Sequence, residues 1–264
     1  MDKKKTILVI IAIILFLIVF FLSYLVFNKY VLKRNFENSI LPFADKNQST
    51  IFRINRIAFF SSCDAKNKNI SANNYTIENL YQYTDMALFI SNTTGENTLE
   101  NTLKKVSIEN INFNNMPSLG EPKLYFKSIN NFSNSKIIEE NIIQDKLDFD
   151  VTSQDETNLD TPTLYNNLAN PITLSYTNQN IKSDYTITDT SSPITYDGSL
   201  LKKCNILLNN ISCSLSFDIL ITNNLDQNFK CTVYIDIPLE NETKTIYDGN
   251  IILKQNTNLN FYRY

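Results

Sequence analysis

The chain of 264 residues contains no histidine, no tryptophan and only four glycines. Each scarcity closes a chemical route. Without histidine there is no Ser-His-Asp or Cys-His nucleophile system, no His-ligated zinc and no imidazole acid–base catalysis. Gly95, Gly120, Gly198 and Gly249 stand far apart, so neither a phosphate-binding P-loop nor a dinucleotide fingerprint can be written. No motif implies a cofactor. The missing tryptophan removes the largest sugar-stacking side chain, although 14 tyrosines remain. Basic residues are also short. Beyond residue 34 the chain keeps 18 of its 24 Lys and Arg and 26 of its 27 Asp and Glu, a net charge of −8. Nucleic acid, which needs a basic footprint, is therefore not an expected partner.

What is present is a long apolar run. Ile7 to Phe27 carries no charge over 21 residues and is flanked by Lys3-Lys4-Lys5 and by Lys29, Lys33 and Arg34. As a helix it spans about 30 Å, the thickness of a bilayer's hydrocarbon core. It exceeds a signal peptide's apolar core and has no small-residue cleavage motif, so it reads as an uncleaved, single-pass anchor whose partner is membrane lipid. Ala12 and Ser23 are its only small residues, and no ionisable group interrupts it, so it carries neither a helix-packing motif nor an ion path. Basic residues on both flanks nearly balance the positive-inside rule. A six-residue tail needs no translocation, which makes residues 1–6 cytoplasmic and the body extracytoplasmic. Residues 28–50 are expected to form a polar, irregular stalk.

The body reads as all-β. Ile51–Ser62 gives the first strand signal. Thr76–Tyr83 suggests a short helix, with Thr76 as its cap and Glu78 in its first turn. Met86–Ile90 is apolar on both faces and suits a covered central strand. Val106–Phe113 changes apolar phase at Glu109-Asn110, the mark of a β-bulge. Strands are expected at Lys123–Ile129 and Leu147–Val151, with a short helix over Ser135–Gln144 between them. Residues 152–171 are polar and acidic without periodicity, either a linker or a long crossover loop. They would separate a first β-rich region, 51–151, from a second β-sandwich region, 172–264.

The clearest pattern is a hairpin over Cys213–Ile237. Cys213, Leu215, Phe217, Ile219 and Ile221 alternate with Ser214, Ser216, Asp218, Leu220 and Thr222. Past a turn at Asn223–Asn228, Phe229, Cys231, Val233, Ile235 and Ile237 alternate with Lys230, Thr232, Tyr234 and Asp236. The turn places Thr222 opposite Phe229 and Cys231 opposite Leu220. A one-faced hairpin must pack on a second layer, and no long amphipathic helix supplies it, so a second sheet does. The expected fold is a β-sandwich, either two Ig-like units or one larger jelly-roll-like unit. The hairpin resembles an Ig-like strand pair over some 25 residues.

Four features are candidates for chemistry. Cys63, Cys204, Cys213 and Cys231 permit two disulfides in three pairings, or four buried thiols; without histidine they have no catalytic partner. The acidic run Asp148, Asp150, Asp155, Glu156 and Asp160 offers oxygen ligands but lacks the spacing of a calcium loop. Tyr196-Asp197-Gly198-Ser199-Leu200-Leu201 and Tyr247-Asp248-Gly249-Asn250-Ile251-Ile252 resemble each other, as two similar hairpin turns or as a duplicated binding loop. The 38 Asn create seven N-x-S/T sequons, about the number their abundance alone produces. Together these point to a membrane-anchored, non-enzymatic surface protein for adhesion, ligand binding or envelope scaffolding, with a protein or glycan ligand. The alternatives are an extracytoplasmic glycan hydrolase with paired carboxylates and a structural subunit of an envelope complex.

Overall fold

A computed structural model describes residues 3–44, 51–71, 74–93, 95, 97–153, 159–187 and 193–264. It divides into two units, residues 1–50 and 51–264. The first is one helix, α1, Lys3–Ala44. Within it Ala12–Phe36 is long and apolar enough to cross a membrane. The expected irregular stalk is corrected here, because the helix continues to Ala44. No glycine or proline intervenes between Phe27 and Leu41, so a helix nucleated in the apolar run elongates at one hydrogen bond per added residue. Residues 45–50 of that stalk lie outside the described residues.

The second unit is mostly β, in two sheets. The first sheet is built from β1 (Phe52–Ser71), β2 (Asn74–Asn92), β4 (Glu121–Phe126), β7 (Ile172–Ile187) and β10 (Ile251–Asn260), in the order β10-β1-β2-β7-β4, all antiparallel. The second is built from β3 (Leu103–Asn114), β5 (Lys146–Thr152), β6 (Thr163–Tyr165), β8 (Cys213–Asn223), β9 (Asn228–Ile237) and β11 (Tyr262–Arg263), in the order β11-β9-β8-β3-β5-β6. Both sheets take strands from either side of residues 152–171, so 51–151 and 172–264 are interleaved and do not form successive regions. The segment between them is itself part of the fold, since Thr163–Tyr165 pairs in parallel with β5. Asp155 and Glu156 lie outside the described residues.

Several elements follow the apolar pattern. Met86, Leu88 and Ile90 are buried in β2, between β1 and β7. The phase change in β3 is a bulge, with a register shift between Glu109 and Asn112 and Asn110 at φ 54°. The helix expected over Thr76–Tyr83 is instead part of β2, paired on both flanks. Leu80 to Tyr83 are all buried, two on each face, a demand that a one-faced helix cannot meet. Ser135–Gln144 holds a single 3-10 turn, Glu139–Asn141.

The hairpin register is also corrected. Thr222 pairs with Asn228, so Cys231 lies opposite Ile219 and Cys213 opposite Ile237. A one-residue slip would have set the apolar face of β9 against the polar face of β8. In the observed register Ile221 meets Phe229 and Phe217 meets Val233 on one buried face. Rings from the two sheets meet as Phe52–Phe229 at 5.3 Å, Phe113–Tyr176 at 6.3 Å and Phe126–Phe149 at 6.3 Å. Each aromatic pair adds about 0.5–1.5 kcal/mol to the burial of its rings. Between β10 and β11 the chain leaves one sheet for the other at Phe261, which is fully buried and donates its N–H to the Phe52 carbonyl.

Candidate functional site

In the first sheet, cross-strand partners place Phe60, Asp85, Ser175 and Tyr125 in one row across β1, β2, β7 and β4. Side chains of a row share a face, and this face is the one opposite Met86 and Leu174. Residues 128–145 lie across it. Phe132 and Ile137 pack on Phe60, Tyr81 and Tyr83, and Ile143 donates its N–H to the Leu124 carbonyl.

The segment is fastened by two buried charges. Asp85 Oδ1 accepts from Ser175 Oγ at 2.6 Å, and its Oδ2 accepts from the Ser133 N–H at 2.9 Å. Lys127 Nζ stands 3.5 Å from Asp85 Oδ2 and donates to the carbonyls of Asn134 at 2.8 Å and Lys136 at 2.7 Å. Its ammonium also lies 5.8 Å from the Tyr83 ring centroid. Asp85 is 0% and Lys127 2% exposed, so each charge depends on these partners in place of water. Burial pushes the Asp85 carboxyl up to about 6, against the pull of Lys127 and the hydrogen bonds from Ser175 and Ser133. Burial draws the Lys127 ammonium below its ordinary value while Asp85 holds it up. Farther along, Tyr125 donates to Glu139 Oε2 at 3.0 Å and accepts from Gln179 Nε2 at 3.2 Å. A carboxyl poised near neutrality is suited to proton transfer, but this one is sealed and hydrogen-bonded. Its geometry suits a clamp.

Sequence reasoning missed this pair. Asp85 is the only acid between Asn79 and Asn92, set in a run of apolar and aromatic residues. A charge in such a strand needs a buried partner, but the partner's position depends on strand order that no local pattern reveals.

The four cysteines are buried and free, and they are not brought together as a set. Burial raises all four thiols, Cys231 to about 12, away from the thiolate that nucleophilic chemistry requires. Beyond burial, coupling to Cys204 raises the Cys63 thiol further. In the acidic run, Lys146 bridges Asp148 at 3.1 Å and Glu109 at 3.0 Å. Asp160 accepts from Ser128 Oγ and Asn130 Nδ2, which hold it below the usual carboxylate range. Among the described residues no three His, Cys, Asp or Glu side chains group to hold a metal.

The two Tyr-Asp-Gly motifs come together. Asp197 Oδ1 accepts from the N–H and hydroxyl of Ser199 at the start of α2 (Ser199–Lys203). Asp248 closes a capping box with Thr245 on a 3-10 turn, Ile246–Asp248. A Cβ on Gly198 would stand 2.2 Å from the Ile246 carbonyl oxygen and 2.5 Å from that of Gly249. Both glycines are thus contact points between two capped turns. Neither motif is a hairpin turn. No protein-family model, curated protein or solved structure matches the chain.

Proposed function

We propose that the chain is a membrane-anchored, non-enzymatic protein whose body is a single β-sandwich displayed outside the cytoplasm as a binding or scaffolding module. The observation that carries this reading is the pairing of an apolar, membrane-length helix with one compact two-sheet body. Ring contacts between the sheets support face-to-face packing around a shared core. Asp85, the one carboxyl raised toward neutrality among the described residues, is enclosed and paired, which supports a structural role. The outer face of the second sheet is largely polar: nearly buried Asp218 accepts from Thr232 and Asn110, Ser214 donates to Asp236, and Tyr234 stands exposed. Such a surface suits contact with a protein or a glycan.

A soluble form starting near Lys46, used for pull-down from the parent cells and on a glycan array, tests the proposal. Saturable capture of one protein or glycan, abolished by charge reversal at Lys230 or by Tyr234→Ala, is the expected outcome. Failure of both assays with folded protein would overturn it.

A further inference from the structure

Residues 51–63 and 249–264 contain Arg53, Arg56, Lys254 and Arg263 and not one acid, in a body of net charge −8. The fold lays these segments side by side, with Arg53 opposite Asn260 and Arg56 opposite Asn256. On the other flank Arg53 lies opposite Ser91 and Arg56 opposite Phe89. In a regular strand, residues three apart point to opposite faces. Here the register shift between Ile54 and Arg56 absorbs Asn55, and both arginines share the face of Phe89 and Ser91.

The resulting surface is poorly satisfied from within. Arg53 Nε, Ser91 Oγ and Asn260 Oδ1, all in one cross-strand row, are buried atoms with no hydrogen-bond partner among the described residues. The Arg56 guanidinium stacks 3.9 Å from the Phe89 ring centroid, beside a cavity of about 360 Å³ lined also by Asn55 and Asn256. Stacking orients a guanidinium while leaving its in-plane N–H donors available.

We propose that this arginine face docks on anionic lipid headgroups of the membrane that holds the chain. A guanidinium fork matches two phosphate oxygens. An acidic body is repelled by an anionic bilayer except where it presents such a face, so the bilayer orients it. Arg53 follows the helix end, Ala44, by nine residues, a maximum contour of about 30 Å. This inference rests on the membrane-anchored reading above.

Full-length chain in nanodiscs of phosphatidylcholine, with or without phosphatidylglycerol, provides the test, read by hydrogen exchange over residues 51–60 and 254–264. Failure to enter nanodiscs would refute the anchor itself, whereas the docking face is judged on incorporated protein. The expected result is slower exchange only with phosphatidylglycerol, reversed by high salt. Arg53→Gln/Arg56→Gln should lower the docked-to-free ratio roughly 30-fold, from about a kilocalorie per arginine at an anionic surface. An Arg→Lys pair should keep part of the protection. Equal exchange in the two lipids, or in the Gln variant and the parent with equal thermal stability, would overturn the proposal. So would protection produced by inorganic phosphate in neutral nanodiscs, which would make the ligand a soluble anion.

Discussion

At the scale of single residues, Asp85 and Lys127 are the least replaceable pair described. Lys127→Met leaves a buried carboxylate unpaired and releases two carbonyls of the covering segment, so it should cost about 3–5 kcal/mol in denaturant unfolding at neutral pH. Asp85→Asn/Lys127→Met buries no charge and should recover much of that loss, a coupling that a double-mutant cycle measures. The pH dependence has an unusual sign. The Asp85 carboxyl holds its proton more tightly in the folded chain, near 6 against an ordinary 3.8. Its contribution is therefore complete below about pH 4 and fades as pH rises through about 6, by about 3 kcal/mol. Unfolding curves of parent and Asp85→Asn should differ by a margin that shrinks across that window; a constant margin would refute the assignment. The thiols offer a simpler check. Unfolded without reductant, the chain should take up alkylating reagent at Cys63, Cys204, Cys213 and Cys231, and mass spectrometry finding fewer additions would show that pairs had formed.

At the scale of elements, legibility followed how many faces are wet. The Cys213–Ile237 hairpin alternates because only one face is buried, and its existence was plain from spacing alone. The turn by itself sets Thr222 against Phe229, whereas matching the apolar faces sets it against Asn228. Thr76–Tyr83 was misread for the opposite reason: with both faces covered, no alternation survives, and a cap-like Thr76 remained the strongest local signal. The bulge at Glu109-Asn110 was legible because a phase break has few other causes. The clamp was not, since Asp85 and Lys127 lie on β2 and just past β4, with β7 between those strands. The two Tyr-Asp-Gly turns were visible as a repeat, but their contact was not. Gly198→Ala should lower stability by about 1–3 kcal/mol, the cost of overpacking, because its new methyl meets backbone carbonyls that cannot rotate away. Gly95→Ala meets nothing within 4 Å and pays only for its positive φ, roughly 1 kcal/mol. Thermal unfolding of the two variants should rank them in that order.

At the scale of the whole molecule, the membrane-length helix and the proposed topology set one testable arrangement. Protease added to intact cells should degrade residues 51–264 and leave a protected fragment that contains Ala12–Phe36. A fully protected body would reverse the proposed orientation.

The pairing of β1 with β10 bears on how the chain is made. Ile54 meets Leu259 across some two hundred residues, and β1 supplies the row on which β2 is also aligned. A strand that emerges early must therefore keep one edge open until nearly all of the following chain has appeared. During synthesis that edge is a template for any passing strand, and the late closure is a slow, non-local step. Newly made chains should thus depend on a chaperone until β10 arrives and takes over from β1 as the edge of the sheet.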